Sequence, residues 1–239
     1  MTETTADTKA APNRLLALWS SVIGKKIVMA VTGAVLILFV ISHMVGNLKI
    51  FSGAEEINAY SRFLREVGWP ELGYGQLLWI VRGVLFISVM LHITAAWQLT
   101  LLNRQARPVG YGEKKNVETT WGAMTMRWGG VLLAIFIVFH LFHLTAGMVG
   151  FQPGQFEHLM VYQNVLAAFS VVPVSIFYII AMCALCLHLD HGIWSGLQTL
   201  GWVNQGNTKS LRTISRIIAV IIFVGFVSVP ISVLAGWVR

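Results

Sequence analysis

Charged side chains are scarce in this sequence. Of its 239 residues, only 11% are Asp, Glu, Lys or Arg, whereas 56% are hydrophobic. In soluble globular domains about a quarter of the residues are charged. A chain with so little charge cannot cover a compact fold with a water-facing surface, so a water-soluble domain is excluded.

Cysteine is nearly missing as well. Cys183 and Cys186 lie within one apolar run, where small buried residues are common, so a disulfide framework is not indicated. Residues 1–13 are polar and lack the apolar core of a signal peptide. We expect residues 1–19 to form a disordered cytoplasmic tail and residues 20–239 to form a single domain.

Long apolar runs are abundant instead. A hydrocarbon layer about 30 Å thick requires about 20 apolar residues per helix. Exposed strands cannot satisfy their backbone polar groups in lipid, so each run is predicted to be helical. The predicted fold class is an all-α integral membrane protein, a bundle of five transmembrane helices. The runs are approximately Ile27–Ile50, Gln76–Leu102, Trp128–Val149, Val165–Gly192 and Ile214–Val238.

The formal net charge of +7 would suit a nucleic-acid partner as well as a membrane protein. The distribution of the basic residues favours the membrane, because most of them fall on one side of the predicted helices and cytoplasmic loops are rich in Lys and Arg. We therefore predict a cytoplasmic N-terminus and no nucleic-acid partner. The residues on that side are Lys9, Arg14, Lys25, Lys26, Arg104, Arg107, Lys114, Lys115, Arg127, Lys209, Arg212 and Arg216.

Histidines are concentrated inside the apolar runs. A polar side chain within hydrocarbon is costly and usually functional. One such histidine is commonly a packing residue, but six on four helices exceed what packing requires. The six are His43, His92, His140, His143, His188 and His191.

Depth in the membrane sorts four of these histidines into two pairs. At about 1.5 Å per residue, His43 and His140 lie about 23 and 18 Å from the cytoplasmic ends of their runs, and His92 and His188 about 15 and 8 Å. A haem iron with two neutral imidazole ligands needs one histidine from each of two facing helices at similar depth. We predict an outer pair, His43 with His140, and an inner pair, His92 with His188.

Spacing alone leaves alternatives open. His140 and His143 are three residues apart, as are His188 and His191, so either member of each could be the ligand. Zinc would require three or four converging ligands, usually with a carboxylate, and Asp190 is the only carboxylate within the runs. A haem-free, proton-coupled transporter with titrating histidines would be expected to carry inverted repeats, which we do not find in the sequence.

Polar residues at the outer ends of the helices are candidates for binding haem propionates. Asn47, Lys49 and Arg82 lie just beyond the outer pair and could contact haem propionates or a quinone. Arginine is well suited to pairing with a carboxylate, which favours the propionates. His143 and His191 could donate to a propionate or pack against the edge of a haem.

A quinone would need an apolar slot at the membrane interface with one or two hydrogen-bond donors. Ser20, Ser21 and Lys25, which lead into the first helix, are the candidates at the inner face. A helix cap and a lysine that extends towards water explain the same residues without a ligand.

Several motifs taken together resemble those of a known family. The resemblance is to the single-chain, two-haem cytochrome b anchor of succinate:quinone oxidoreductases, and it covers residues from about 20 to 238. The helix count, the order of the histidines and the long first outer loop are also similar. The motifs are Gly24-Lys-Lys, Ser42-His43-Met-Val-Gly-Asn47, Asn58-Ala-Tyr60, Phe139-His140-Leu and His188-Leu-Asp-His-Gly-Ile-Trp194-Ser.

The resemblance implies a specific set of haem ligands. In that family each of the first four helices supplies one ligand. The third stands thirteen residues after an arginine, as His140 stands after Arg127, and the fourth stands thirteen residues before a glycine, as His188 stands before Gly201. This selects His140 and His188, with the inner pair holding the proximal haem and the outer pair the distal haem.

The resemblance also implies a function. The chain would be the membrane anchor of a succinate dehydrogenase or fumarate reductase, a respiratory complex II in the cytoplasmic membrane of a bacterium or archaeon. Flavoprotein and iron–sulfur subunits would dock on its cytoplasmic face, and higher oligomers of the complex are allowed. Electrons would pass through two b haems to or from menaquinone or another quinone. The cytochrome b anchor of a different quinone-linked dehydrogenase is the alternative among redox proteins.

The sequence departs from some relatives at one position. Certain fumarate reductases carry a glutamate two residues before the fourth ligand, where it is assigned to proton movement. Here the position is Cys186. Such a proton path is therefore not implied for this chain.

Overall fold

The computed structural model describes residues 18–106 and 121–239, and within them the chain is helical with no strand. A 3-10 helix, Lys49–Ser52, follows the first long helix, and a π-helical turn, Leu141–Thr145, follows the fourth. The longer helices are α1 (Val22–Leu48), α2 (Ala54–Glu66), α3 (Gln76–Gln105), α4 (Trp121–His140), α5 (Val161–Phe169), α6 (Val172–Thr199) and α7 (Thr208–Leu234).

Five of the helical segments in the described residues are long and apolar enough to cross a membrane, which confirms the predicted number. Many large apolar side chains point away from the bundle: Leu38 is 66% exposed, Phe86 67% and Trp128 79%. An apolar surface of this extent is typical of a multi-pass membrane protein. The segments are Val22–Ser52, Gln76–Gln105, Thr125–Thr145, Val172–Thr199 and Thr208–Leu234.

The predicted limits of the fourth helix, Val165–Gly192, were wrong. The short helix α5 ends at Phe169, and α6 begins only at Val172 and continues to Thr199. Pro173 explains the break, because proline has no backbone N–H and is tolerated only in the first turn of a helix. The polar last turns of α6 are helical although they lie outside the apolar run.

The third and fifth helices also differ from their predicted limits. The third segment begins at Trp121 and ends at Thr145, where Gly147 at φ +64° and Gly150 at φ +79° follow it. Glycine adopts positive φ without steric cost and commonly ends helices. The fifth begins at Thr208 and ends at Leu234 rather than spanning Ile214–Val238. An apolar run marks the part of a helix inside the hydrocarbon, whereas the helix itself continues into the interface.

The start of α1 is fixed by local hydrogen bonds. The Ser21 hydroxyl accepts from the Gly24 N–H at 2.8 Å, and the Lys25 ammonium donates to the Trp19 carbonyl at 2.7 Å. Leu18 and Trp19, placed by the prediction in a disordered tail, are helical. The rest of that tail, residues 1–17, lies outside the described residues.

The bundle is built around α1 and α6. Helix α1 packs against α3, α6 and α7, and α6 packs against α1, α4 and α7. Over the described residues, α1 makes few close contacts with α4, and α3 makes few with α6. Helices α1 and α4 therefore lie on opposite sides of the bundle, and so do α3 and α6.

The long segment after α1 contains a helix, α2, that joins the bundle through α5. The buried Asn58 side chain accepts from the Tyr162 N–H at 3.0 Å and donates to the Gln163 side chain at 3.3 Å. The ring of Tyr60 lies against Gly46, where an added Cβ would be 2.8 Å from the ring. The motif Asn58-Ala-Tyr60 thus has a structural role in holding this segment over one end of the bundle.

An ion pair links α6 to α7. The Arg212 guanidinium donates to the Asp190 carboxylate at 3.2 Å, and Arg216 lies 3.9 Å from the other carboxylate oxygen. The side chains of Asp190 and Arg212 are only 17% and 20% exposed. Asp190 therefore pairs with α7.

We predict that Asp190→Asn lowers the free energy of unfolding by about 1–3 kcal/mol, because it leaves the partly buried Arg212 guanidinium without its counter-charge. The measurement is denaturant unfolding in detergent micelles. Glu56→Gln is the control: the Lys49–Glu56 pair is 4.0 Å apart with side chains 38% and 61% exposed. It should cost less than about 0.5 kcal/mol. Equal effects of the two substitutions would contradict a stabilising role for the Asp190 ion pair.

Candidate functional site

Four histidines form two facing pairs in the bundle. The ring centres of His43 and His140 are 5.7 Å apart, and those of His92 and His188 are 6.2 Å apart. A metal lies about 2 Å from an imidazole nitrogen, which is itself about 1 Å from its ring centre, so two opposed ligands hold their ring centres about 6 Å apart. Both pairs have the spacing that one metal between two imidazoles requires.

The observed helix ends place the inner pair at one depth. His92 stands thirteen residues before the end of α3 at Gln105, and His188 eleven before the end of α6 at Thr199. The corresponding depths are about 20 and 17 Å. The depths predicted from the apolar runs were about 15 and 8 Å, because both runs end before their helices do. The corrected depths match each other more closely.

Each histidine pair joins helices that otherwise make few close contacts, α1 with α4 and α3 with α6. Glycines stand beside the inner pair: a Cβ added at Gly33 would lie 3.4 Å from the His92 ring, and one at Gly130 would lie 3.8 Å from the His188 ring. Without side chains at these positions, the walls next to the rings are backbone.

The inner histidines differ in their remaining contacts. His92 Nδ1 lies 3.1 Å from the Met29 carbonyl and 3.2 Å from the Thr32 hydroxyl. A proton on Nδ1 is donated to that carbonyl, and the other nitrogen, Nε2, then keeps its lone pair for a metal. His188 Nδ1 is buried with no hydrogen-bond partner among the described residues. An unpaired imidazole nitrogen in an apolar bundle is a potential ligand.

The outer histidines lie among aromatic rings. His43 stacks on Phe39 with ring centres 5.2 Å apart, and it also contacts Phe226 at 5.9 Å. His140 packs against Phe136, and its Nδ1 lies 3.3 Å from the Tyr178 hydroxyl. Aromatic packing and a hydrogen bond to the nitrogen away from the metal are what orient a ligating imidazole.

The structure also shows the surroundings of His143 and His191, the two histidines whose role as ligands the spacing left open. His143 is fully buried between Phe139 and Phe151, and its Nδ1 lies 2.9 Å from the Tyr178 hydroxyl. His191 is half-buried beside the Asp190 ion pair, at the α7 side of α6. His140 rather than His143 thus pairs with His43, and His188 rather than His191 pairs with His92. A propionate contact for His143 or His191 stays a prediction.

A zinc centre is not supported by the geometry. In residues 18–106 and 121–239, no group of three or more His, Cys, Asp and Glu side chains comes together. The histidines meet two at a time. Two protein ligands suit a metal whose remaining coordination comes from a macrocycle, as in haem.

The candidate propionate residues have neighbours of their own. Lys49 lies 4.0 Å from Glu56 and over the ring of Tyr60, and the Arg82 guanidinium lies 4.8 Å over the ring of Trp79. Asn47 is half-buried one turn beyond His43. All three stand at the outer ends of α1 and α3, and their role as propionate partners stays a prediction.

The candidate quinone residues at the inner face take part in the start of α1. Ser21 caps the helix, and the Lys25 ammonium donates to the carbonyls of Trp19 and Ser20 at 2.7 and 3.1 Å. Lys25 is buried by these contacts. The geometry supports the helix-cap interpretation, and quinone binding by Ser20, Ser21 and Lys25 stays a prediction.

Two open surface pockets are each assembled from segments distant in the sequence, so no local pattern predicts them. One, of about 360 Å³, lies between the end of α3 and α4, and the other, of about 550 Å³, lies where α1 and α7 end. The first is lined by Thr100, Asn103, Arg104 and Arg127. The second is lined by Ile50, Phe51, Gly53, Tyr162, Gly236, Trp237, Val238 and Arg239.

Comparison of the chain with protein-family models, with curated proteins and with solved structures gave no match. The functional assignment therefore depends on the two histidine pairs, on the membrane-length helices that carry them and on the motifs in the sequence.

Proposed function

We propose that this chain is the membrane anchor and electron-transfer subunit of a succinate:quinone oxidoreductase, with one b haem held by each histidine pair. The observation that carries the proposal is the spacing of the histidine pairs. In each pair the ring centres are 5.7 or 6.2 Å apart, a spacing that suits one metal between two imidazoles, and the helices of each pair otherwise make few contacts. The family-like motifs supply the link to succinate and quinone. They also favour this anchor over that of another quinone-linked dehydrogenase.

The residues of the chain would hold and insulate the haems. His92 and His188 would bind the inner haem iron, and His43 and His140 the outer one. Haem iron supplies a reversible one-electron centre when it is bound. The Met29 carbonyl fixes the His92 ring, and the aromatic rings around the outer pair exclude water. A dry environment and oriented ligands are the means by which a protein sets a haem potential.

The two pairs are placed for electron transfer across the membrane. Gly130 of α4 is level with His188, and His140 is ten residues further along the same helix. The levels are thus about 15 Å apart along the helix axis, which is about half the thickness of the hydrocarbon layer. Two redox centres at these levels would form a path from one face towards the other.

Partner subunits would bind at the face that carries the N-terminal end of α1. Lys26, Arg104, Arg127 and Arg216 are exposed there, and the basic surface would attract the acidic residues of an iron–sulfur subunit. A basic face of this kind is also what a cytoplasmic orientation requires. We propose that this face is cytoplasmic, in the membrane of a bacterium or archaeon.

A quinone would bind near one membrane interface. The family resemblance implies menaquinone. The pocket of about 550 Å³ where α1 and α7 end is open to the surface, and its volume is within the usual range for small-molecule sites. Ile50, seven residues beyond His43, contributes to its wall. This pocket and the inner residues Ser20, Ser21 and Lys25 are the two candidate positions.

The orientation leads to a labelling prediction. Asn204 and Gln155 are exposed in loops at opposite ends of the bundle. In right-side-out membranes, a membrane-impermeant maleimide should label Gln155→Cys at once and Asn204→Cys only after permeabilisation. The parent chain is the control, since Cys183 and Cys186 lie inside α6. The reverse pattern would contradict a cytoplasmic N-terminus.

Haem content tests the function itself. The purified chain should contain two b haems per polypeptide by its reduced-minus-oxidised spectrum and haem extraction. His92→Leu and His188→Leu should each lose one haem and leave the same remaining spectrum. His43→Leu and His140→Leu should each lose the other haem.

His158→Leu is the matched control, because His158 is exposed in a loop and should leave both haems in place. Any other grouping of the four variants would contradict the pairing. A colourless parent chain that remains fully functional would favour the proton-coupled transporter over a redox anchor.

A further inference from the structure

Tyr178 of α6 lies between two histidines of the third membrane segment. Its hydroxyl is 3.3 Å from His140 Nδ1 and 2.9 Å from His143 Nδ1. The tyrosine is 6% exposed, and His143 is fully buried. Phe136 and Phe169 pack edge-on against the phenol ring at 5.0 and 4.9 Å. The three polar groups thus form a short hydrogen-bonded chain that is closed off from solvent.

The backbone around His143 is irregular in a way that holds this chain together. Leu141–Thr145 form a π-helical turn, closed by a hydrogen bond from the Ala146 N–H to the Leu141 carbonyl. Such turns are rare in proteins, and those that occur are often at functional sites. Gly150, at φ +79°, covers the His143 ring so closely that an added Cβ would lie 2.7 Å from it. His143 is therefore fixed with one nitrogen on Tyr178.

Iron binding by His140 would select one direction for the hydrogen bonds. A His140 that gives the Nε2 lone pair to iron carries its proton on Nδ1, so it donates to the Tyr178 oxygen. The Tyr178 hydroxyl is then free to donate to His143 Nδ1. Hydrogen bonds in such a chain strengthen one another, so His143 makes the tyrosine oxygen a better acceptor for His140.

We propose that Tyr178, oriented by His143, is a positioning residue that lowers the redox potential of the outer haem through the Nδ1–H of His140. A hydrogen-bond acceptor on Nδ1 makes the imidazole more basic, which stabilises ferric over ferrous iron. The inner pair has no corresponding tyrosine–histidine contact among the described residues: His92 Nδ1 faces the Met29 carbonyl and the Thr32 hydroxyl. The inference rests on the proposed function and concerns the outer haem alone.

Tyr178→Phe tests the proposal, because it removes the hydroxyl and keeps the packed ring. In a redox titration of the purified protein, the midpoint potential of the outer haem should rise while that of the inner haem stays in place. His43→Leu, which retains only the inner haem, identifies which potential is which. Tyr74→Phe, which removes the hydroxyl of an exposed loop tyrosine, is the matched control and should change neither potential.

His143→Leu provides a second test that leaves Tyr178 in contact with His140. It should raise the outer potential by less than Tyr178→Phe does, and it should add no further shift in the double variant, because both act through one hydrogen bond. If Tyr178→Phe loses the outer haem, His143→Leu decides: a raised outer potential supports the proposal, and an unchanged one overturns it.

Other outcomes separate this inference from the function it rests on. Two haems with unchanged potentials in both variants would overturn the role of Tyr178 and leave the anchor function intact. Equal shifts of both haems would overturn it too, since the effect would not pass through His140. A parent chain without haem would overturn both proposals.

Discussion

An imidazole inside an apolar bundle needs a partner for each of its ring nitrogens, and this constraint organises the structure. Unpaired polar groups in hydrocarbon are costly. The chain meets the requirement on one side of the His92 ring with the Met29 carbonyl and on one side of the His140 ring with the Tyr178 hydroxyl. Among the described residues, His188 Nδ1 and His143 Nε2 are buried without a hydrogen-bond partner. In each pair the chain sets the two rings opposite each other. A metal between the rings would complete the arrangement.

The helix packing follows from where those rings must stand. Close contacts run along α1 with α3 and along α6 with α4 and α7, which leaves the diagonals α1–α4 and α3–α6 for the histidine pairs. Gly33 and Gly130 keep side chains away from the inner rings, and aromatic residues surround the outer ones. The two sites thus differ in surroundings, and so two identical cofactors would have different potentials.

Much of this arrangement could be predicted from the sequence, and the rest has identifiable reasons. Hydropathy located the five long helices, and counting residues paired the histidines, because both depend on periodic local properties. Helix ends were harder to predict, because an apolar run does not show where the backbone stops being helical. The break before Pro173 and the end of α6 at Thr199 are examples. The π-helical turn, the contact of Tyr178 with His143 and the pockets depend on residues far apart in the sequence. No local pattern marks such contacts.

The central claim is that each facing histidine pair binds one iron through two neutral imidazoles. Low-temperature electron paramagnetic resonance of the oxidised, purified protein tests it most directly. The account predicts two distinct low-spin ferric signals, each with the anisotropy of a haem that has two imidazole ligands. High-spin ferric signals, or no haem signal at all, would contradict it.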